Sequence, residues 1–134
     1  MNGQNARRLA SAVAVSTVTA GTLFAATPAL ASGGGGVRAS GACTMGSTWE
    51  MKAKHDDGRI QLELEVDTPR IGRTWSVVIT DNGTQIFKGT RVTQAPSGSF
   101  TVERLVRNRA GTDHFVAKAR SLATGATCLA KVNL

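Results

Sequence analysis

Ile60-Gln61-Leu62-Glu63-Leu64-Glu65-Val66-Asp67 is the stretch on which the fold turns. Four aliphatic side chains alternate without a break with four polar ones. An extended backbone points successive side chains to opposite faces, so Ile60, Leu62, Leu64 and Val66 enter a core while the acids meet water. A helix would scatter both sets around its circumference. The stretch is therefore a half-buried strand of an antiparallel sheet. Just upstream, Trp49, Met51 and Ala53 alternate with Glu50, Lys52 and Lys54, and Asp56-Asp57-Gly58 between the two runs supplies a hairpin turn. The two strands are neighbours.

The same period continues downstream. Asp67-Thr68-Pro69 stops the strand, because proline has no amide hydrogen for a ladder. Trp75, Val77 and Ile79 mark the third strand, Asp81-Asn82-Gly83 the next tight turn, and residues 84–93 the fourth strand. After Ala95-Pro96-Ser97-Gly98, Phe100 and Val102 open a fifth strand. Strict alternation there would turn Arg104 inward, so a bulge or twist that brings Leu105 or Val106 into the core is expected. Asn108 to Thr112 reads as a loop. Phe115, Ala117 and Ala119 then form the inner face of a sixth strand, with Lys118 and Arg120 outside, and Cys128, Ala130 and Val132 form that of a seventh. Seven short strands parted by turn signals predict an all-β, seven-stranded antiparallel β-sandwich, with a small closed barrel as the second-ranked architecture.

Size and charge set the outer limits. The chain has 134 residues, 16 basic and 9 acidic side chains, a formal charge of +7, 4% aromatics and no tyrosine. That is one domain at most, too short for a multi-domain enzyme, a doubly wound cofactor-binding fold or a multi-span membrane protein.

The N-terminal region reads as an address. Arg7-Arg8 precede an uncharged, Ala-, Val- and Thr-rich run from Leu9 to Leu30, and Ala29-Leu30-Ala31 offers small residues at the −3 and −1 sites. This is the order of a secretory signal peptide over residues 1–31, cut between Ala31 and Ser32. The run is nearly long enough to span a bilayer, which makes an uncleaved anchor the competing reading; Pro28, the Ser and Thr content and the small-residue site favour cleavage. The arginine pair matches the twin-arginine export pattern poorly, so general secretion is expected, with no membrane span left afterwards. Residues 32–41, with Gly33 to Gly36 in a row, read as a flexible leader, and 42–134 as the sandwich.

Cys43 and Cys128 both fall in the exported part. In an oxidising compartment they pair, tying the first strand to the last. They have no zinc spacing with His55 or His114, and no base partner marks either as a catalytic thiol.

With Trp75 on the third strand and Gly111-Thr112-Asp113-His114-Phe115-Val116-Ala117 entering the sixth, the mature chain resembles an immunoglobulin-like or fibronectin type III-like module. The Ala- and Thr-heavy signal and Arg-rich remainder resemble proteins exported by high-GC actinobacteria. The resemblance implies a fold only. Phe115 lacks the hydroxyl of the tyrosine corner, and the cysteines link the chain ends rather than the second and sixth strands.

No constellation for catalysis stands out. Asp113 and His114 are strand neighbours and face opposite sides; His55-Asp56-Asp57 is explained as a turn; Glu63, Glu65 and Asp67 form a solvated face without a cleft. The expectation is a non-enzyme without cofactor or metal. The basic side chains carry more meaning. Arg104, Arg107 and Arg109 cluster at the end of the fifth strand and Lys118 and Arg120 lie on the sixth, so that, if these strands meet, one basic face is available to an anionic cell-wall polymer or another secreted protein. Nucleic acid fits less well, because the few aromatics are needed by the core. The reading is a small secreted, extracellular or wall-associated binding domain. A secreted protease inhibitor presenting Arg107-Asn108-Arg109-Ala110 is the alternative.

Overall fold

The computed structural model describes residues 35–134. The expected export signal, its cut between Ala31 and Ser32, and leader residues 32–34 lie outside the described residues. Eight strands follow in order: β1 (Gly36–Ala42), β2 (Thr48–Asp56), β3 (Arg59–Asp67), β4 (Thr74–Asp81), β5 (Thr84–Val92), β6 (Ser99–Arg107), β7 (His114–Ser121) and β8 (Thr127–Asn133). All ladders are antiparallel and form two four-stranded sheets, β1-β2-β3-β6 and β5-β4-β7-β8. The sheets pack face to face over one core, in which Met51, Ile60, Leu62, Leu64, Val66 and Val102 from the first meet Val77, Ile79, Phe115, Ala117 and Ala130 from the second. Trp75 on β4 and Phe100 on β6 bridge the layers with ring centroids 6.0 Å apart.

Alternation places these residues as read. Ile60, Leu62, Leu64 and Val66 are fully buried, and both early hairpins carry consecutive positive φ values, at Asp57 and Gly58 and at Asn82 and Gly83. Three features differ from the sequence reading. The first is strand number: residues 36–41, expected as flexible leader, join Ala42 in β1 and pair with β2 along its length. The cause lies across the ladder, where the Trp49 ring lies so close over Gly41 that a Cβ there would stand 2.9 Å from it. A large aromatic thus supplies the packing area that a strand of small residues lacks.

Second, β6 has no bulge. Its register with β3 is unbroken from Arg59↔Arg107 to Asp67↔Ser99, so Arg104 keeps the inward parity, Val106 packs partly buried against the core without a bulge, and Leu105 is 52% exposed. Arg104 is tolerated because it lies at the open side between β6 and β5, where its guanidinium sits 5.3 Å from the centre of the Phe87 ring; Arg91 covers the same ring at 4.9 Å. The irregularity falls instead on β5, where the register shifts between Ile79↔Phe87 and Thr80↔Gln85.

Third, the strands expected to bring the basic residues together do not pair: β6 belongs to one sheet and β7 to the other.

The disulfide between Cys43 and Cys128 is formed. It joins the chain just after β1 to β8, and so links the two sheets on the side away from Phe87; a bond of this kind is compatible with an extracellular location. Alongside it the Thr127 amide donates to Thr44 Oγ1 at 2.8 Å. At the β3 end, the Thr68 amide and hydroxyl both donate to the Gly98 carbonyl. Gly98 has φ +88, and a Cβ would lie 2.5 Å from the Thr68 carbonyl oxygen. Gly98→Ala is expected to lose about 2 kcal/mol or more from strain and clash together, measured by urea unfolding; a loss below about 0.5 kcal/mol would show that the turn rearranges freely. Among the described residues no helix is long and apolar enough to cross a membrane.

Candidate functional site

Strand parity and register place the charges. On the first sheet the outward positions of β2, β3 and β6 mix both signs. Glu50 pairs with Arg38 and with Lys52 Nζ at 2.9 Å, and Lys52 also reaches Glu63 at 3.2 Å. These contacts, Lys52 first and then Arg38, hold the Glu50 carboxyl below its usual range, and Glu50 and Glu63 raise Lys52. Glu63 and Glu65 thus belong to a solvated, partly neutralised face.

The outer face of the second sheet is different in kind. Its outward cations are Lys88 on β5, Lys118 and Arg120 on β7 and Lys131 on β8, and no Asp or Glu occupies an outward position on its four strands. Lys88, Val78, Lys118 and Leu129 stand in one cross-strand row. With strands about 4.8 Å apart, Lys88 and Lys118 are roughly 10 Å from each other, and Arg120 is about 7 Å from Lys118 along β7. Lys131 faces Val116 in the next row. A shallow depression of about 390 Å3 lies beside them, lined by Val78, Thr80, Asn82, Gly83, His114, Val116 and Lys118. His114 is fixed there by Asn133, whose Oδ1 is 2.9 Å from Nδ1.

The basic residues singled out in the sequence therefore separate into two groups. Lys118 and Arg120 stay together and gain Lys88 and Lys131, which sequence reading missed; outward parity was available for both, but the strand order that makes them neighbours was not. Arg104, Arg107 and Arg109 gather elsewhere, at one end of the gap between β5 and β6. There they line a depression of about 240 Å3 with Asp81, Ile86, Leu105 and Val106. Arg109 is not free to project: its Nε donates to Asp81 Oδ2 at 3.2 Å. In the Arg107-to-Ala110 loop, Asn108 Nδ2 also lies 3.4 Å from His55 Nδ1.

Beneath that depression lies a pair of acids that sequence reading also missed. Asp81 ends β4 on its inward side, 1% exposed, and Asp113, 0% exposed, precedes β7. The β4–β7 ladder, in which Asp81 faces Phe115, and Arg109, which contacts both acids, bring the two together. The Arg109 amide donates to Asp113 Oδ2 at 3.4 Å, while Asp81 Oδ1 and Asp113 Oδ1 are buried and receive no N–H or O–H from the described residues. Burial first, and the neighbouring Asp113 second, push the Asp81 carboxyl above its usual range, against the pull of Arg109.

Trp49 is half-buried against the core rather than displayed. Among the described residues no group of three or more His, Cys, Asp or Glu side chains is placed to hold a metal. No known family, curated protein or solved structure matches this chain.

Proposed function

We propose that this protein is an exported, non-catalytic β-sandwich that binds anionic polymers of the cell envelope through the outer face of the β5-β4-β7-β8 sheet. The observation that carries the reading is a whole sheet face with four cations and no carboxylate, in a chain whose other face mixes charges. A solubilising surface intersperses both signs, as the first sheet does; a single-signed face attracts polyanions. The flat spread of Lys88, Lys118, Arg120 and Lys131 suits a flexible chain of repeating anions. The described surface shows no aromatic stacking platform on this face, which favours a polymer without bases. The export signal expected from the sequence and the disulfide support the envelope as the setting.

We also read the module as fibronectin type III-like. Setting β1 aside, the seven remaining strands run 1-2-5 in one sheet and 4-3-6-7 in the other, with the core Trp on the third, which supports the likeness drawn from Trp75 and the approach to Phe115.

The test is retention on isolated cell walls and on a synthetic polyanion, against salt. With three or four charges engaged, counterion release lowers affinity roughly 20- to 150-fold between 50 and 200 mM salt. Replacing Lys88, Lys118, Arg120 and Lys131 with Gln is expected to abolish retention at 150 mM salt. Equal retention of variant and parent, or binding indifferent to salt, refutes the reading.

A further inference from the structure

We infer that the depression between β5 and β6 is a second, separate site, which takes the dianionic phosphate group of a phosphate monoester. Three arginines line it, and two are oriented in advance: Arg104 is stacked on Phe87, and Arg109 is tethered through Nε alone, which leaves its terminal nitrogens without a hydrogen bond among the described residues. Arginines held this way lose little freedom on binding, and their planar forks match phosphate oxygens.

The charge balance supports the choice of a dianion. Arg109 is already engaged by Asp81 through its Nε, so its charge is partly spent within the protein. Arg104 and Arg107 form no ion pair among the described residues, so two positive charges stay uncompensated at the rim. Arg59 adds to the field from directly opposite Arg107 across β3 and β6, a like-charge pairing that a sheet disfavours unless an anion lies near. Asp56 stands across the β2–β3 hairpin from Arg59 but forms no ion pair with it.

Size narrows the class further. About 240 Å3 is below the usual range for a drug-sized ligand, so the site fits a phosphate and a few more atoms against Ile86, Leu105 and Val106, not an extended chain. This site is separate from the basic sheet face, which lies on the outward side of the β5-β4-β7-β8 sheet.

The test titrates inorganic phosphate, glycerol phosphate and dimethyl phosphate, at pH 8 and constant ionic strength, into protein secreted by an expressing cell, following the side-chain Nε signals of the arginines by NMR. Phosphate and glycerol phosphate are expected to move Arg104, Arg107 and Arg109 saturably, and the monoanionic diester at least tenfold more weakly. Arg107→Gln, on an exposed strand end, lowers affinity tenfold or more; Arg104→Gln does the same if the variant keeps its folded spectrum. Lys118→Gln with Arg120→Gln leaves it unchanged, whatever happens to polymer retention. Equal binding of diester and monoester, an unaltered affinity in Arg107→Gln, or an equal loss in the sheet-face variant overturns the inference. Failure of the polymer-retention experiment alone does not touch it. A free phosphorylated metabolite and the phosphorylated end of a larger chain are told apart by whether lengthening the alcohol of the monoester leaves the affinity constant.

Discussion

Replacing both Cys43 and Cys128 with Ala is expected to lower the unfolding free energy by about 4–5 kcal/mol. The bond spans 85 positions of sequence, and an unfolded chain freed from a loop of that length regains conformations that the crosslinked chain never samples. Small domains have only about 5–15 kcal/mol in total. The double-alanine variant is thus left near the threshold of folding. The two sides of the sandwich differ in what remains. On the β1–β8 side the Thr127 amide still donates to Thr44 Oγ1; on the β5–β6 side closure rests on Arg91 and Arg104 over Phe87, which the substitution does not touch. Alanine at position 128, a buried site on β8, keeps the strand pattern and leaves only a small void. Urea unfolding of both proteins separates the causes. The midpoint falls, and the slope of free energy against denaturant rises because the released denatured state exposes more surface. A loss under about 1 kcal/mol with an unchanged slope would mean that the crosslink does not restrain the unfolded chain.

Local pattern carried most of the architecture, and what it missed has identifiable causes. Alternation is a property of single strands, so Ile60 to Asp67, Trp75 to Ile79 and Phe115 to Arg120 were readable with their faces. β1 was not, because Gly36-Val37-Arg38-Ala39-Ser40-Gly41-Ala42 has few large side chains and owes its order to a partner strand and to the Trp49 ring over Gly41. Arg104 misled in the opposite way. An inward cation looked like a reason for a bulge, yet a long side chain at an open edge can stack on an aromatic and keep its charge wet.

The candidate site depended on something periodicity does not contain, the order of strands in the sheets. β6 pairs with β3 and not with β7, so five basic residues close in sequence are divided between the two layers. Lys88 and Lys131, distant in sequence, join Lys118 and Arg120 because β5 and β8 lie in the same sheet as β7. The buried acids did leave a trace. Asp81 shares the parity of Trp75, Val77 and Ile79, and Asp113 that of Phe115 and Ala117, but both sit beside turn residues, where an aspartate needs no further explanation.

That parity has a consequence for pH. The Asp81 carboxyl titrates higher in the folded protein than in the unfolded chain, chiefly through burial and then through Asp113. Between the ordinary aspartate value and this raised one, the folded state holds a proton that the unfolded state has released. Stability from this group is therefore full at low pH and is lost as pH rises through that window, by at most about 1.4 kcal/mol per pH unit for one proton. Glu50, held low by Lys52 and Arg38, acts in the opposite direction, with a contribution lost as pH falls, but it lies on the solvated face where such pairs weigh little. Asp81→Asn isolates the buried pair. The amide keeps the shape of a protonated acid, offers its NH2 to Asp113 and its oxygen to Arg109, and cannot ionise. Subtracting the stability profile of the parent from that of the variant cancels the titrations of groups not coupled to Asp81, and the difference is expected to grow in favour of the amide variant from pH 4 upward until Asp81 in the parent has ionised. Asp81→Ala, which leaves Asp113 and Arg109 without their partner, is expected to be less stable than the parent throughout. A difference curve for Asp81→Asn that is flat from pH 4 to 8 would show that burial does not raise Asp81 above the unfolded-chain value.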